Sequence, residues 1–127
     1  MPKKQNELIR SKVYYYGTSV GGGFFCKYKG KGLAERGFGE LWLTRHAIYF
    51  RLYLTLEPFE IPVKKIVKIN TGHFHAGKFS MSPILKIHWE STGDIFVAGF
   101  SVPKKLEEFV RWQQKLQGLL GSFGGKL

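Results

Sequence analysis

The sequence predicts a mainly β domain, in which about seven antiparallel strands are followed by one C-terminal helix. Apolar and polar residues alternate in short segments between residues 39 and 98, which is the period of a strand with one buried face. Glycine, proline and Ser-Thr turns separate these segments, and strands joined by turns pair in antiparallel fashion. After residue 103 the apolar spacing becomes helical. A single amphipathic helix would cover the inner face or open end of a bent sheet.

Composition favours one globular domain without disulfides. The chain has 127 residues, of which 43% are hydrophobic, and this is enough to bury a core of its own. Cys26 is the only cysteine, which excludes an intrachain disulfide and a cysteine zinc cluster and fits a reducing compartment. No signal peptide is recognisable, and no apolar run approaches the roughly 20 residues of a membrane span. We therefore expect a cytoplasmic protein, at most peripheral at a membrane.

The N-terminal third combines basic residues with glycine. We expect a basic arm over residues 1–12 and a strand over 13–16, because aromatic and β-branched residues favour pleated structure. The three glycines at 21–23 break that strand, and extended structure resumes at 24–28. A basic, glycine-containing loop follows up to residue 37.

The remaining strands are more regular. The clearest is the segment 48–54, in which Ile48, Phe50 and Leu52 alternate with Tyr49, Arg51 and Tyr53. A loop is expected over 71–81, and a tight turn at Ser91-Thr92-Gly93. The other predicted strands cover residues 40–44, 59–61, 66–69, 85–89 and 95–98.

The C-terminal segment predicts an amphipathic helix. Ser101 is the expected N-cap, and Gly118 and Gly121 are the expected stop signals. The predicted apolar face consists of Leu106, Phe109, Val110, Leu116 and Leu120.

Two stretches resemble a known family. Residues 39–50, with the sequence GELWLTRHAIYF, resemble the core of GRAM and bacterial pleckstrin-homology-like domains, and residues 59–69, FEIPVKKIVKI, resemble their next element. The resemblance covers about residues 24–118. It implies a pleckstrin-homology-like bent antiparallel barrel of about seven strands, capped at one end by the C-terminal helix. Members are mostly binding modules, often for phosphoinositide headgroups or for proteins.

The resemblance suggests a division of the chain into three parts. Residues 1–22 would form a basic N-terminal arm and a first extended segment, residues 23–120 the pleckstrin-homology-like domain, and residues 121–127 a flexible tail.

The main candidate site is an anion site on the basic segment after the first strand. Twenty Lys and Arg against nine Asp and Glu give a net charge of +11, which favours anionic partners. Lysines at alternate strand positions share a face, and neighbouring glycines let backbone amides approach an anion. Phosphoinositide-binding members of the family use basic residues on their first hairpin, although Glu40 and Trp42 stand where the family's closing arginine would lie. The alternative is a solvated loop. The candidate ligands are Lys27, Lys29, Lys31 and Arg36.

Other basic clusters are weaker candidates. Lys104 and Lys105 lie near the predicted helix start, where they would either pair with the following glutamates or help the helix N-terminus to hold an anion. Lys64, Lys65 and Lys68 are expected to form a solvated edge that discourages strand pairing.

Catalytic and metal sites are not expected. His73 and His75 have a spacing that two metal ligands could use, but a third ligand would be needed and His88 is the only candidate of the right type nearby, so metal binding is not favoured. Cys26, within an apolar run, is expected to lie in the core, and no set of residues suggests acid–base or nucleophilic chemistry. We therefore expect no cofactor and no enzymatic activity.

The expected function is binding of a phospholipid headgroup or an acidic protein surface through the basic first hairpin. Two alternatives remain open. Outer-face aromatics beside basic residues could stack on the bases of a single-stranded nucleic acid. The same aromatics could instead form a contact between copies of the chain, in a structural oligomer. The residues involved are Tyr14, Tyr16, Tyr28, Tyr49, Arg51 and Tyr53.

Overall fold

Eight strands and one C-terminal helix make up the described part of the chain in a computed structural model. The structure describes residues 7–20, 27–28, 37–53, 58–75, 78–102 and 106–122. The elements are β1 (Ile9–Val20), β2 (Lys27–Tyr28), β3 (Gly37–Leu43), β4 (Ala47–Leu52), β5 (Phe59–Pro62), β6 (Ile66–His75), β7 (Lys78–Ser91), β8 (Asp94–Ser101) and α1 (Leu106–Ser122), with a 3₁₀ turn at Val63–Lys65 between β5 and β6.

All strand pairings are antiparallel, and seven strands follow one another in the order β5-β4-β3-β1-β8-β7-β6, while β2 pairs with β1. β1 joins the two halves of the sheet, because residues 9–15 pair with β3 and residues 14–20 with β8. The register shifts between Tyr15 and Gly17, and Gly17 has φ +108°, which favours glycine. The strand bends at this bulge.

β1 is longer than the sequence indicates. The prediction of a loose arm up to residue 12 is wrong for residues 9–12, which pair with β3. Ile9 and Val13 belong to the buried core, so this segment contributes packing as well as ladder hydrogen bonds. The strand that precedes residue 23 is therefore part of the same sheet as the strands that follow it.

The core is formed by the inner faces of the strands and one face of α1. Tyr15 on β1 packs between Phe50, at a ring-centroid distance of 4.7 Å, and Phe100, at 5.3 Å. The alternation predicted for β4 is confirmed: Ile48, Phe50 and Leu52 are buried, and the residues between them are partly exposed.

The face that α1 presents to the core overlaps the predicted one. Phe109, Leu116 and Leu120 are buried as predicted, together with Trp112, whereas Leu106 and Val110, expected in the core, are exposed. Ser101 does not cap the helix, because it is the last residue of β8. The helix also continues through Gly118. Within the described residues, no helix has the length and apolar character that crossing a membrane would require.

The hairpin of β6 and β7 replaces a predicted loop. The expectation of a loop over 71–81 is wrong, since β6 reaches His75 and β7 begins at Lys78. The pairing shifts from Gly72↔Ile84 to Phe74↔Phe79, and Pro83 lies in the extra residues of that irregularity, where proline is tolerated. The predicted tight turn between β7 and β8 is confirmed.

Candidate functional site

The basic segment begins in β2, which pairs with β1, and precedes β3 in the sequence. Lys27 lies in β2, which pairs with β1 at Thr18 and Ser19. The other proposed anion ligands, Lys29, Lys31 and Arg36, lie outside the described residues, as do Lys104 and Lys105, which immediately precede α1. The structure thus places the beginning of the basic segment beside the part of β1 that follows the bulge at Tyr15–Gly17.

An aromatic patch is formed by three residues: Tyr14 on β1, Phe38 on β3 and Tyr53, which directly follows β4. Phe38 is 57% exposed and Tyr53 45% exposed, whereas Tyr14 is half-buried. The rings of Tyr14 and Phe38 meet edge to face at 5.0 Å, and the backbone amide of Tyr53 donates to the carbonyl oxygen of Phe38 at 3.2 Å. Phe38 is the second residue of β3 and follows Arg36, the last residue of the basic segment, by two positions.

A row of side chains crosses the outer face of β1, β3 and β4. The guanidinium of Arg10 lies 4.4 Å from the ring centroid of Trp42, and Trp42 stacks on Tyr49 at 5.5 Å. The guanidinium of Arg10 donates hydrogen bonds to the carboxylate of Glu7 and, at 2.6 Å, to the carboxylate of Glu40. These interactions raise the pKa of Arg10, and the hydrogen bonds to Glu7 contribute most. Its charge is therefore already paired. Trp42 is nearly fully buried, and its indole nitrogen has no hydrogen-bond partner among the described residues.

The outer-face tyrosines do not form one uniform surface. Tyr49 is half-buried, and burial, with a smaller contribution from Glu60, raises its pKa. Tyr16, expected to be exposed, is buried: its hydroxyl donates to Ser80 at 2.7 Å and accepts from Ser101 at 3.3 Å. The prediction failed for Tyr16 because its partners come from strands that are distant in sequence. Of the described side chains in this group, those of Tyr14 and Tyr49 are half-buried, and that of Tyr53 is 45% exposed.

Two of the described histidines make side-chain hydrogen bonds. The Nδ1 atom of His73 lies 3.1 Å from the carbonyl oxygen of Ser80, and the Nε2 atom of His88 lies 2.9 Å from the side-chain oxygen of Asn70. In the part of the chain that the structure describes, no three His, Cys, Asp or Glu side chains come together as a metal site would require.

A cleft of about 230 Å³ lies between β5, the 3₁₀ turn and the β7–β8 hairpin. Its apolar wall consists of Phe59, Trp89 and Phe96, with ring-centroid distances of 5.8 Å from Phe59 to Trp89 and 5.5 Å from Trp89 to Phe96. The remaining lining residues are Glu60, Pro62, Lys65, Glu90, Ser91 and Thr92.

Sequence reasoning missed this cleft. The residues that form its wall come from separate strands, 30 positions apart in the case of Phe59 and Trp89. The available signal was that both are inward-facing aromatics near a strand end, but the sequence does not indicate that these two ends meet. Lys65, expected to be a solvated edge residue, is exposed and also lines the cleft.

Comparison with solved structures shows the fold. The chain is similar to the Vps36 N-terminal PH domain, with 16% identity and a TM-score of 0.62 over 97% of this chain and 85% of that one. It is also similar to a chain of the 8S snRNP assembly intermediate, with 8% identity and a TM-score of 0.61 over 94% of this chain and 87% of that one. No protein-family profile and no curated protein sequence matches.

The predicted fold class is therefore confirmed: the chain has a pleckstrin-homology-like fold, with one antiparallel sheet, in which seven strands follow one another and β2 pairs with β1, and a C-terminal helix. The narrower resemblance to GRAM domains stays a prediction.

Proposed function

We propose that the chain is a non-enzymatic binding module that recognises an anionic surface through its first hairpin. The proposal is supported most directly by the place of Lys27 on β2, which pairs with β1, and by the sequence that follows up to residue 36, which has three further basic residues against Glu35 alone. The likeness to a PH domain supports a binding role in general. A GRAM-like relationship and a cytoplasmic, membrane-peripheral location belong to the same proposal.

A phospholipid surface suits this arrangement better than an acidic protein. Clustered Lys and Arg gain attraction to anionic headgroups, at about 1 kcal/mol per basic residue near the surface. Tyrosine prefers the headgroup level of a bilayer, where its apolar ring and its polar hydroxyl are both satisfied. The exposed ring of Tyr53 would enter that layer, and the exposed ring of Phe38 would gain by burying apolar surface below it.

Sedimentation with lipid vesicles tests the proposal. The protein is expected to pellet with phosphatidylcholine vesicles that contain phosphatidylserine and to stay in the supernatant with phosphatidylcholine alone. Binding should weaken as salt is raised, since exposed charges are screened. Absence of binding at low salt, or equal binding to both vesicles, would show that the anionic lipid is not the ligand.

Binding of single-stranded nucleic acid is a second candidate. It is favoured by the exposed ring of Tyr53, which lies two residues after Arg51 and directly after β4. The case is weaker than the sequence suggested, because one face of Tyr49 is occupied by Trp42. Fluorescence anisotropy with a labelled oligothymidylate should show steeply salt-dependent binding that Tyr53→Ala weakens. A flat titration at low salt rejects this candidate.

Assembly through the exposed rings is the remaining alternative. Sedimentation equilibrium tests it directly, because the aromatic patch would be covered in an oligomer. A monomer at high protein concentration rejects a purely structural role.

A further inference from the structure

The cleft beside β5 has a chemistry different from that of the basic hairpin. We infer that it binds a cationic side chain, lysine or arginine, from an extended peptide of a partner protein. The inference rests on the aromatic wall, the two carboxylates at the rim and the unpaired edge of β5. It is independent of the proposed anion site.

The wall provides surface for the alkyl stem and the charge of such a side chain. Trp89 and Phe96 are buried and stack on one another, and Phe59, which is half-buried, packs against Trp89 at 5.8 Å and continues the same wall. Aromatic rings attract a cation placed within about 6 Å, most strongly for Trp. A lysine or arginine side chain matches these walls because its methylene stem is apolar and its head is charged.

The rim has negative charge in a protein whose net charge is +11. Glu60 and Glu90 both line the cleft and both are exposed. Among the described residues the ion pairs are those of Arg10 with Glu7 and Glu40, so neither rim carboxylate is neutralised there. Lys65 opposes them from the 3₁₀ turn, which leaves the rim with a net charge of −1.

The strand at the rim favours a peptide over a small free cation. β5 stands at the end of the strand order and pairs with β4 alone, so its other edge is unpaired within the described sheet. Three of its four residues, Phe59, Glu60 and Pro62, line the cleft. An extended segment laid along such an edge can add backbone hydrogen bonds while alternate side chains enter the cleft.

A nuclear magnetic resonance titration of the ¹⁵N-labelled protein tests the inference. The probe is a capped hexapeptide of alternating leucine and arginine, and its control carries glutamate in place of arginine. Addition of the arginine peptide should shift the indole signal of Trp89 and the amide signals of Glu60 and Thr92. The indole signal of Trp112, buried under α1, should stay in place.

Charge variants test whether the cleft prefers a cationic or an anionic side chain. Glu60→Gln with Glu90→Gln should weaken binding of the arginine peptide about tenfold, and Lys65→Gln should strengthen it two- to fivefold, as expected for exposed charges at short range. Lys64→Gln is the matched control, since Lys64 is an exposed neighbour that does not line the cleft.

Three results overturn the inference: preference for the glutamate peptide, weaker binding after Lys65→Gln, or no change in the double glutamine variant. Lys65→Gln replaces an exposed residue, so it tests the sign even if the double variant folds poorly. Charge reversal of Lys29 and Lys31 should leave this titration unchanged, which separates it from the test of the anion site.

Discussion

Trp112 on α1 donates its indole N–H to the hydroxyl of Ser11 on β1 at 2.9 Å, and Ser11 in turn donates to Glu108. This chain of hydrogen bonds fixes the helix against the central strand of the sheet. Trp112 is fully buried and Ser11 nearly so, so neither group has water as a replacement partner.

Replacement of Ser11 by alanine should therefore destabilise the protein. The indole N–H of Trp112 would lose its acceptor in a buried position, which costs about 1–3 kcal/mol. Urea denaturation followed by tryptophan fluorescence measures this change. Val110→Ala on the exposed side of α1 is the control, expected to stay within about 0.5 kcal/mol of the wild type. Unchanged stability of Ser11→Ala would show that the hydrogen bond does not hold the helix.

Gly39 and Gly118 should respond oppositely to alanine. A Cβ atom at Gly39 would lie 2.4 Å from the backbone oxygen of Arg51, so the β3–β4 ladder would have to separate, with an expected loss of about 1–3 kcal/mol. A Cβ atom at Gly118 meets nothing within 4 Å, and alanine there should stabilise the helix by about 0.5–1 kcal/mol. Thermal denaturation of the two variants compares them. Equal shifts in the same direction would contradict the close approach at Gly39.

The aromatic patch should matter for binding and little for folding. Phe38→Ala with Tyr53→Ala removes two largely exposed rings, so the free energy of unfolding should change by less than about 1 kcal/mol. Vesicle affinity should fall roughly 50- to 100-fold, if each ring buries on the order of 50 Å² of apolar surface in the interface, at about 25 cal/mol per Å². Tyr49→Ala, which removes the ring stacked on Trp42, should instead destabilise the fold. Full vesicle affinity of the double variant would exclude insertion of these rings.

The titration of Tyr49 should report its burial and the nearby charge of Glu60. Because burial and Glu60 raise its pKa, the folded protein favours the neutral phenol. The resulting stability is present below the ordinary tyrosine pKa of about 10 and is lost as pH rises through the folded pKa. Tyrosinate absorbance, with Tyr49→Phe to assign the step, should show a lower pKa in Glu60→Gln. An unchanged or higher pKa in that variant would contradict the contribution of Glu60.

Local features of the fold could be predicted from the sequence because their causes are local. The alternation of apolar and polar residues in β4 determines which side chains face the core. In the turn between β3 and β4, the hydroxyl of Thr44 accepts a hydrogen bond from the backbone amide of Ala47 at 3.2 Å. The tight turn after β7 has positive φ at both Thr92 and Gly93, which suits a two-residue hairpin connection.

Features that depend on distant partners were missed. Ser101 resembles a helix cap in sequence, but it ends β8 and donates to Tyr16, 85 positions away. The extent of β6 and β7 depends on mutual pairing that tolerates an irregularity at Pro83. At the candidate site, the pairing of Lys27 with β1 joins strands that follow one another in the sequence. The cleft instead forms because β5 lies beside the C-terminal end of β7, and these strands are distant in sequence.

The central claim is that the first hairpin recognises an anionic surface, and a charge-matched comparison tests it most directly. Lys29→Glu with Lys31→Glu and Lys64→Glu with Lys68→Glu change the net charge equally, but only the first pair belongs to the basic segment between β2 and β3 in the sequence. Co-sedimentation with phosphatidylserine-containing vesicles should lose at least tenfold in affinity for the hairpin pair, against a small loss for the other pair. Equal losses, or full binding by the hairpin variant, would contradict the account.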